Sequence, residues 1–209
     1  MIGQLSWLSS GQIVPRERAP ATNSSVRLFV AIVPPETVLD ELEAAVGPLR
    51  TATPKLRWTT SESWHLTLAF LGEVEEPVIP ELGTRLERAA HRHPPQPLAI
   101  AGAGAFPHPA RAQILWAGVR AESSALAALA ASVAAGARRA GAPPPDEGRR
   151  YRPHITLARS RDQANVTQLI GALGSFSSAQ WSATRIALIN SRLGGSPRYT
   201  ELASWPLAH

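Results

Sequence analysis

Apolar residues first crowd together at Val26-Arg27-Leu28-Phe29-Val30-Ala31-Ile32-Val33, a β-rich run stopped by Pro34-Pro35 that predicts a strand. The two prolines suit a helix start, and Val38, Leu39, Leu42, Ala45 and Val46 recur at helical spacing up to Gly47-Pro48, where that helix is expected to end. After a polar loop around Lys55-Leu56-Arg57-Trp58, the segment Trp64-His65-Leu66-Thr67-Leu68-Ala69-Phe70-Leu71 alternates strictly and ends at Gly72, which predicts a strand with two unlike faces. A second helix is expected over about 77–92, with Leu82, Leu86 and Ala89 on one side. It stops before His93-Pro94-Pro95, and Leu98-Ala99-Ile100-Ala101 reads as a further strand.

The same order then repeats. Gln113-Ile114-Leu115-Trp116-Ala117-Gly118-Val119 predicts a strand, 122–140 an alanine-rich helix, 141–150 a Pro/Gly/Arg loop, and Pro153-His154-Ile155-Thr156-Leu157-Ala158 a strand. A short helix at 163–173 and strands near 181–190 and 198–205 complete the chain. Nearly the same number of positions separates Val26 from His65 and Ile114 from His154, and each unit ends in His-x-Thr. A strand-helix-strand unit present twice, with one motif in the same slot, implies an internal duplication. Residues 1–25 mix Ser, Pro, Gly and scattered apolar residues without period, and are expected to form a disordered extension ahead of one bilobal domain over 26–209.

Composition narrows the chemistry. The chain has no cysteine, which removes disulfides, thiolate nucleophiles and cysteine-ligated zinc. No apolar run is long enough to span a bilayer, and the first residues lack the basic-then-apolar layout of a secretory signal, so a cytoplasmic protein is expected. Of the 21 lysines and arginines only Lys55 is a lysine, and the net charge is +5. Guanidinium groups bind phosphate bidentately, so this bias suits a polyanionic partner, although drift toward arginine would produce it as well.

On a strand, residues two apart share a face, so His65 and Thr67 project together while Leu66, Leu68 and Phe70 face the other way; His154 and Thr156 do the same ahead of Ile155 and Leu157. Packing two such lobes about a pseudo-twofold axis brings both imidazoles and both hydroxyls to one cleft. Imidazole titrates near neutrality, so one ring can be neutral and the other protonated at modest cost. That suits a step in which one proton is removed and another delivered, such as opening a cyclic phosphodiester. The threonine hydroxyls are donors for the non-bridging oxygens. No metal is expected: each strand offers one histidine and no carboxylate at ligand spacing. His91, His93 and His108 lie beside prolines or at a helix end and read as surface residues. Arg138, Arg139, Arg149, Arg150, Arg152, Arg159 and Arg161 bracket the second motif as a basic rim for a polyanion's phosphates, or else cap a helix and line a solvated loop. Trp58 and Trp64 read as core residues before base-stacking ones.

The runs Arg27-Leu28-Phe29-Val30-Ala31-Ile32, His65-Leu66-Thr67-Leu68-Ala69-Phe70-Leu71-Gly72-Glu73-Val74, Arg152-Pro153-His154-Ile155-Thr156-Leu157-Ala158-Arg159 and Pro197-Arg198-Tyr199-Thr200-Glu201-Leu202 resemble the bacterial and archaeal RNA 2',3'-cyclic phosphodiesterases, also called 2'-5' RNA ligases, of the two-histidine phosphoesterase superfamily. The resemblance implies an α+β fold of two lobes, antiparallel sheets with outer helices around a central cleft. It implies metal-independent and cofactor-free hydrolysis of an RNA or small-nucleotide 2',3'-cyclic phosphate to a 2'-phosphate by a monomer, with His65 as acid and His154 as base. The motifs themselves are symmetric and leave those two roles open. Arg159 stands at the family's phosphate-contacting arginine, yet strict alternation sets it opposite His154, so it can serve only if the strand ends or bulges before it. Two other readings remain: a module that binds RNA ends without turnover, and a related enzyme acting on another cyclic or 2'-5'-linked nucleotide.

Overall fold

Nine strands and four α-helices follow one another in the computed structural model, which describes residues 24–121, 124–145, 150–192 and 198–208. In chain order they are β1 (Ser25–Ile32), α1 (Glu36–Ala52), β2 (Arg57–Trp58), β3 (Leu66–Glu75), α2 (Ile79–Ala90), β4 (Gln96–His108), β5 (Arg111–Ala121), α3 (Ala125–Arg139), β6 (His154–Ala164), α4 (Thr167–Leu173), β7 (Trp181–Ala183), β8 (Arg185–Ser191) and β9 (Tyr199–Pro206). The extension expected over 1–25 lies outside the described residues except for its last two, and Ser25 already belongs to β1.

The strands form two antiparallel sheets ordered β3-β1-β8-β9 and β2-β6-β5-β4-β7. Setting β3 on β6, β1 on β5, β8 on β4 and β9 on β7 superimposes the two orders, with β2 as the extra edge strand. This is the architecture that a duplicated strand-helix-strand unit requires, and it is α+β as expected. Leu28, Val30, Ile32, Leu66 and Leu68 of one sheet and Leu115, Ala117, Ile155 and Leu157 of the other belong to one continuous core with the apolar stripes of the helices. Burying each leucine contributes about 2 kcal/mol, which holds the apolar face of each His-x-Thr strand inward and leaves its polar face to the cleft. Gly136 of α3 lets that helix close on α2, since a Cβ there would stand 3.2 Å from the Arg85 carbonyl oxygen. Among the described residues no helix is long and apolar enough to cross a membrane.

Four elements differ from expectation. Helix α1 continues through Gly47-Pro48 to Ala52. Leu49 packs on the core, and Arg50 forks onto the Glu43 carboxylate at 2.7 and 2.9 Å, which ties the turn after the proline to the turn before it. Strand β4 runs well past Ala101, because the Ala101–Ala105 stretch has small side chains and hence no alternation to read. The helix expected from 163 begins only at Thr167, where the Asn165 side chain accepts the Thr167 N–H (3.1 Å), while β6 extends through Ala164. Finally, the single strand expected at 181–190 is two strands: β7 joins the second sheet, β8 the first, and the chain crosses between them at Thr184.

Candidate active site

His65 immediately precedes β3 and His154 opens β6. The His65 Nδ1 lies 2.8 Å from the Ser63 carbonyl oxygen and the His154 Nδ1 2.7 Å from that of Arg152. A carbonyl only accepts, so in both rings Nδ1 carries the hydrogen and donates it. Each ring is thereby fixed in the tautomer that leaves Nε2 with a free lone pair. The same bond, to the carbonyl two residues earlier, recurs in both halves, so the duplication reaches down to the chemistry of single nitrogens.

Both rings sit in aromatic frames. His65 stacks on Phe29 (centroids 4.5 Å apart) and meets the edge of Tyr199 at 5.2 Å; Phe29 and Tyr199 pack edge to face at 5.3 Å. Phe29 belongs with Ala31, Ala187 and Ile189 to a small apolar cluster, joined by Phe70 and Tyr199, apart from the main core. His154 meets Phe106 edge-on at 5.1 Å and Trp116 at 6.0 Å. Gly104 makes room for that arrangement, since any Cβ there would overlap the Trp116 indole.

After each His-x-Thr the strand bulges. Ala31 pairs with Thr67 but Val30 with Ala69, which leaves Leu68 as the extra residue; Trp116 pairs with Thr156 but Leu115 with Ala158, which leaves Leu157 extra. A bulge reverses the alternation beyond it. Arg159 therefore pairs with Ile114, on the face of β5 that also carries Trp116, and so shares a side with His154 and Thr156. The condition set by the sequence for Arg159 to reach the cleft is met. In the first lobe the matching position holds Phe70, and the Arg27 guanidinium lies over that ring at 4.8 Å.

Burial chiefly pushes the His65 pKa down, to about 4; the charges of Arg159, His154 and Arg198 add to this, against the stabilising Ser63 carbonyl. His154 is lowered too, first by burial and then by Arg159, against the Arg152 carbonyl. His65, His154 and Arg159 thus share one electrostatic site, with Thr67 and Thr156 on the same two faces. Among the described residues neither threonine hydroxyl is hydrogen-bonded. Both shifts run below the ordinary imidazole value, so each ring favours its neutral form near neutrality.

The two motifs are also tied mechanically. The Trp64 Nε1–H donates to Thr59 Oγ1 (2.8 Å), and that hydroxyl lies 2.8 Å from the carbonyl oxygens of both Thr156 and Leu157, at the bulge itself. From the opposite side, the Tyr151 hydroxyl donates to the Thr67 carbonyl at 3.1 Å, and burial raises its pKa so that it stays a donor. Trp64 is buried and Trp58 donates to the Thr53 carbonyl at 3.2 Å, which makes both tryptophans structural.

Outside the cleft, His91 and His108 are exposed as expected, whereas His93 is half-buried and bonds Ser132 Oγ at 2.8 Å. Of the arginine rim, Arg138 and Arg139 end α3, Arg161 is exposed on β6, Arg150 and Arg152 flank the approach to His154, and Arg149 lies outside the described residues. Among the described residues no three histidine or carboxylate side chains are grouped to hold a metal ion. Sequence reasoning missed Phe29, Tyr199, Phe106 and Trp116 around the rings and Thr59 and Tyr151 behind them. Phe29 and Tyr199 had a signal, through their places in the first and the closing motif.

The chain is similar to known proteins in sequence and in fold. The family model described as the 2'-5' RNA ligase superfamily matches residues 28–195. A protein of Escherichia coli named RNA 2',3'-cyclic phosphodiesterase is 30% identical over 188 residues, 87% of this chain and 96% of that protein. One of the same name from Thermus thermophilus is 30% identical over 191 residues, 87% of this chain and 90% of its own. Among solved structures, E. coli LigT complexed with 3'-AMP superimposes with a TM-score of 0.70 at 27% identity, covering 89% of this chain and all (100%) of that one.

Proposed function

The chain belongs to the 2'-5' RNA ligase superfamily, and on that premise we propose that it hydrolyses the 2',3'-cyclic phosphate of an RNA end or a nucleoside to a 2'-phosphate. The observation that carries this reading is the matched pair of Nδ1–H to carbonyl bonds, which reserve two Nε2 atoms, one from each lobe, for proton transfer at a single phosphate. A water attacks phosphorus and gives its proton to the neutral Nε2 of His154. The bond from phosphorus to the ribose 3' oxygen breaks, and that oxygen takes a proton from Nε2 of His65. The product is a 2'-phosphomonoester with a free 3'-hydroxyl.

The pKa shifts run downward in both rings, so the division into acid and base follows the family resemblance and not the shifts. His65, with its pKa lowered to about 4, is a strong donor once protonated. The anionic substrate supplies the stabilisation that protonation needs, because its charge offsets Arg159 and Arg198. Arg159 and the hydroxyls of Thr67 and Thr156 hold the non-bridging oxygens as their charge grows. When a 5'-hydroxyl replaces water, the same rings run 2'-5' joining; water is far more abundant, so hydrolysis dominates. The chemistry asks nothing of a metal or cofactor.

The test is phosphorus NMR of a nucleoside 2',3'-cyclic phosphate incubated with the protein in EDTA. Conversion to the 2'-phosphate alone is expected. Accumulation of the 3'-phosphate reverses the leaving group and overturns the assignment. RNA-end binding without any product supports a non-catalytic module instead.

A further inference from the structure

Beside His154 lies an open groove of about 540 Å³ whose lining includes Trp116, Gly118, Arg120, Arg150, Arg152 and Pro153 and, among the described residues, no carboxylate. Its floor is set by the ladder. Gly118 pairs with His154, and Trp116, Gly118 and Arg120 follow one another at every second residue along one face of β5. Gly118 has to lack a side chain, since a Cβ would stand 2.6 Å from the Ala101 carbonyl oxygen, and that absence keeps the floor low. Arg120 stands one face-step beyond it, about 6.6 Å farther from His154 along the strand. Arg120, Arg150 and Arg152 are all exposed, and among the described residues none is ion-paired.

The basic lining has an end. Arg120 also borders a smaller cavity of about 170 Å³ at Ser178 and Gln180. The Glu41 carboxylate accepts the N–H of Ala179, between those two lining residues, at 2.8 Å, so a carboxylate lies on that side of Arg120.

We infer that this groove binds the sugar-phosphate backbone immediately 5' of the reacting cyclic phosphate, with Arg150 and Arg120 each taking one phosphate and Glu41 closing the track beyond them. The inference rests on the proposed hydrolysis and adds a length preference: a strand is preferred to a mononucleotide, over a footprint of about three nucleotides. Guanidinium contacts to phosphate bind without regard to base, so the preference is for length and not for sequence.

The experiment compares kcat/KM for substrates of one, two, three and six nucleotides ending in 2',3'-cyclic phosphate, for the wild-type chain and the double variant Arg120→Ala/Arg150→Ala. In the wild type, kcat/KM is expected to rise up to three nucleotides and then level off. The double variant is expected to keep wild-type turnover of the mononucleotide and to lose most of the gain with length. Its log–log salt dependence on the three-nucleotide substrate should be shallower by about 1.4, the loss of two single-strand phosphate contacts. Equal kcat/KM at all lengths in the wild type, or an undiminished length preference in the variant, overturns the groove assignment. So does an equal loss on mononucleotide and oligomer, which would mean that the arginines act at the reacting centre. Failure of the wild type on every substrate instead defeats the hydrolase reading itself.

Discussion

Arg159 and His154 stand on the same face of β6 although they are five positions apart, because Leu157 is bulged out of register between them. The guanidinium thereby acts on both imidazoles, lowering the pKa of each. It has two effects at once: it attracts the anion, and it keeps the rings neutral until the anion arrives.

Replacing it separates those effects. Arg159→Gln should lower kcat/KM on a nucleoside 2',3'-cyclic phosphate by about a hundredfold, the usual consequence of losing one donor to developing charge. Arg159→Lys should fall between, since it keeps the charge and loses the fork. Removing the charge also raises the pKa of both histidines, so the pH optimum of kcat/KM in Arg159→Gln should move upward. An unchanged optimum with full activity would take Arg159 out of the site.

The wild-type pH profile follows from the same shifts. The reaction needs the pair singly protonated, a state most populated between its two macroscopic pKa values. Both rings titrate below 6.5 in the free protein, His65 near 4, so kcat/KM should peak on the acid side of pH 6.5. Bound phosphate raises both values, so the optimum of kcat should lie at higher pH than that of kcat/KM. Steady-state rates from about pH 4 to 9 check this, and a kcat/KM optimum on the alkaline side of neutrality would contradict it.

Thr59 should matter to both motifs without touching substrate. Thr59→Val keeps the shape and removes the hydroxyl, leaving the Trp64 indole N–H without its acceptor and the bulge carbonyls without their side-chain donor. A loss of about 1–3 kcal/mol in urea unfolding is expected, with a lower kcat, since His65 follows Trp64 and Arg159 follows the bulge. Wild-type stability and kcat would show that the tie is dispensable.

Much of this site is legible in the chain. Leu66 and Leu68 around Thr67, and Ile155 and Leu157 around Thr156, mark which face of each strand is buried, and the near-equal spacing of the two units foretells their pseudo-symmetry. What could not be read depends on partners distant in sequence. The bulge at Leu157 is a mismatch in count between β6 and β5, so nothing within β6 announces it. Tyr199 reaches His65 only because β9 and β3 flank the sheet that carries Phe29. The depth of the His65 shift needs the ring buried near Arg159, Arg198 and the second imidazole, which no local pattern encodes. The long β4 escaped notice because Gly102 and Gly104 replace the apolar residues that would have shown its period, and Gly104 is required by the Trp116 indole alone.

The central claim, that two rings from separate lobes act as one catalytic unit on one phosphorus, is tested most directly by kcat/KM on a nucleoside 2',3'-cyclic phosphate in EDTA for the wild type, His65→Ala, His154→Ala and the double variant. Each single variant is expected to lose nearly all turnover, and the double variant to be no worse than either, as for groups that act in concert. Substantial activity in either single variant, or losses that multiply in the double, would contradict it.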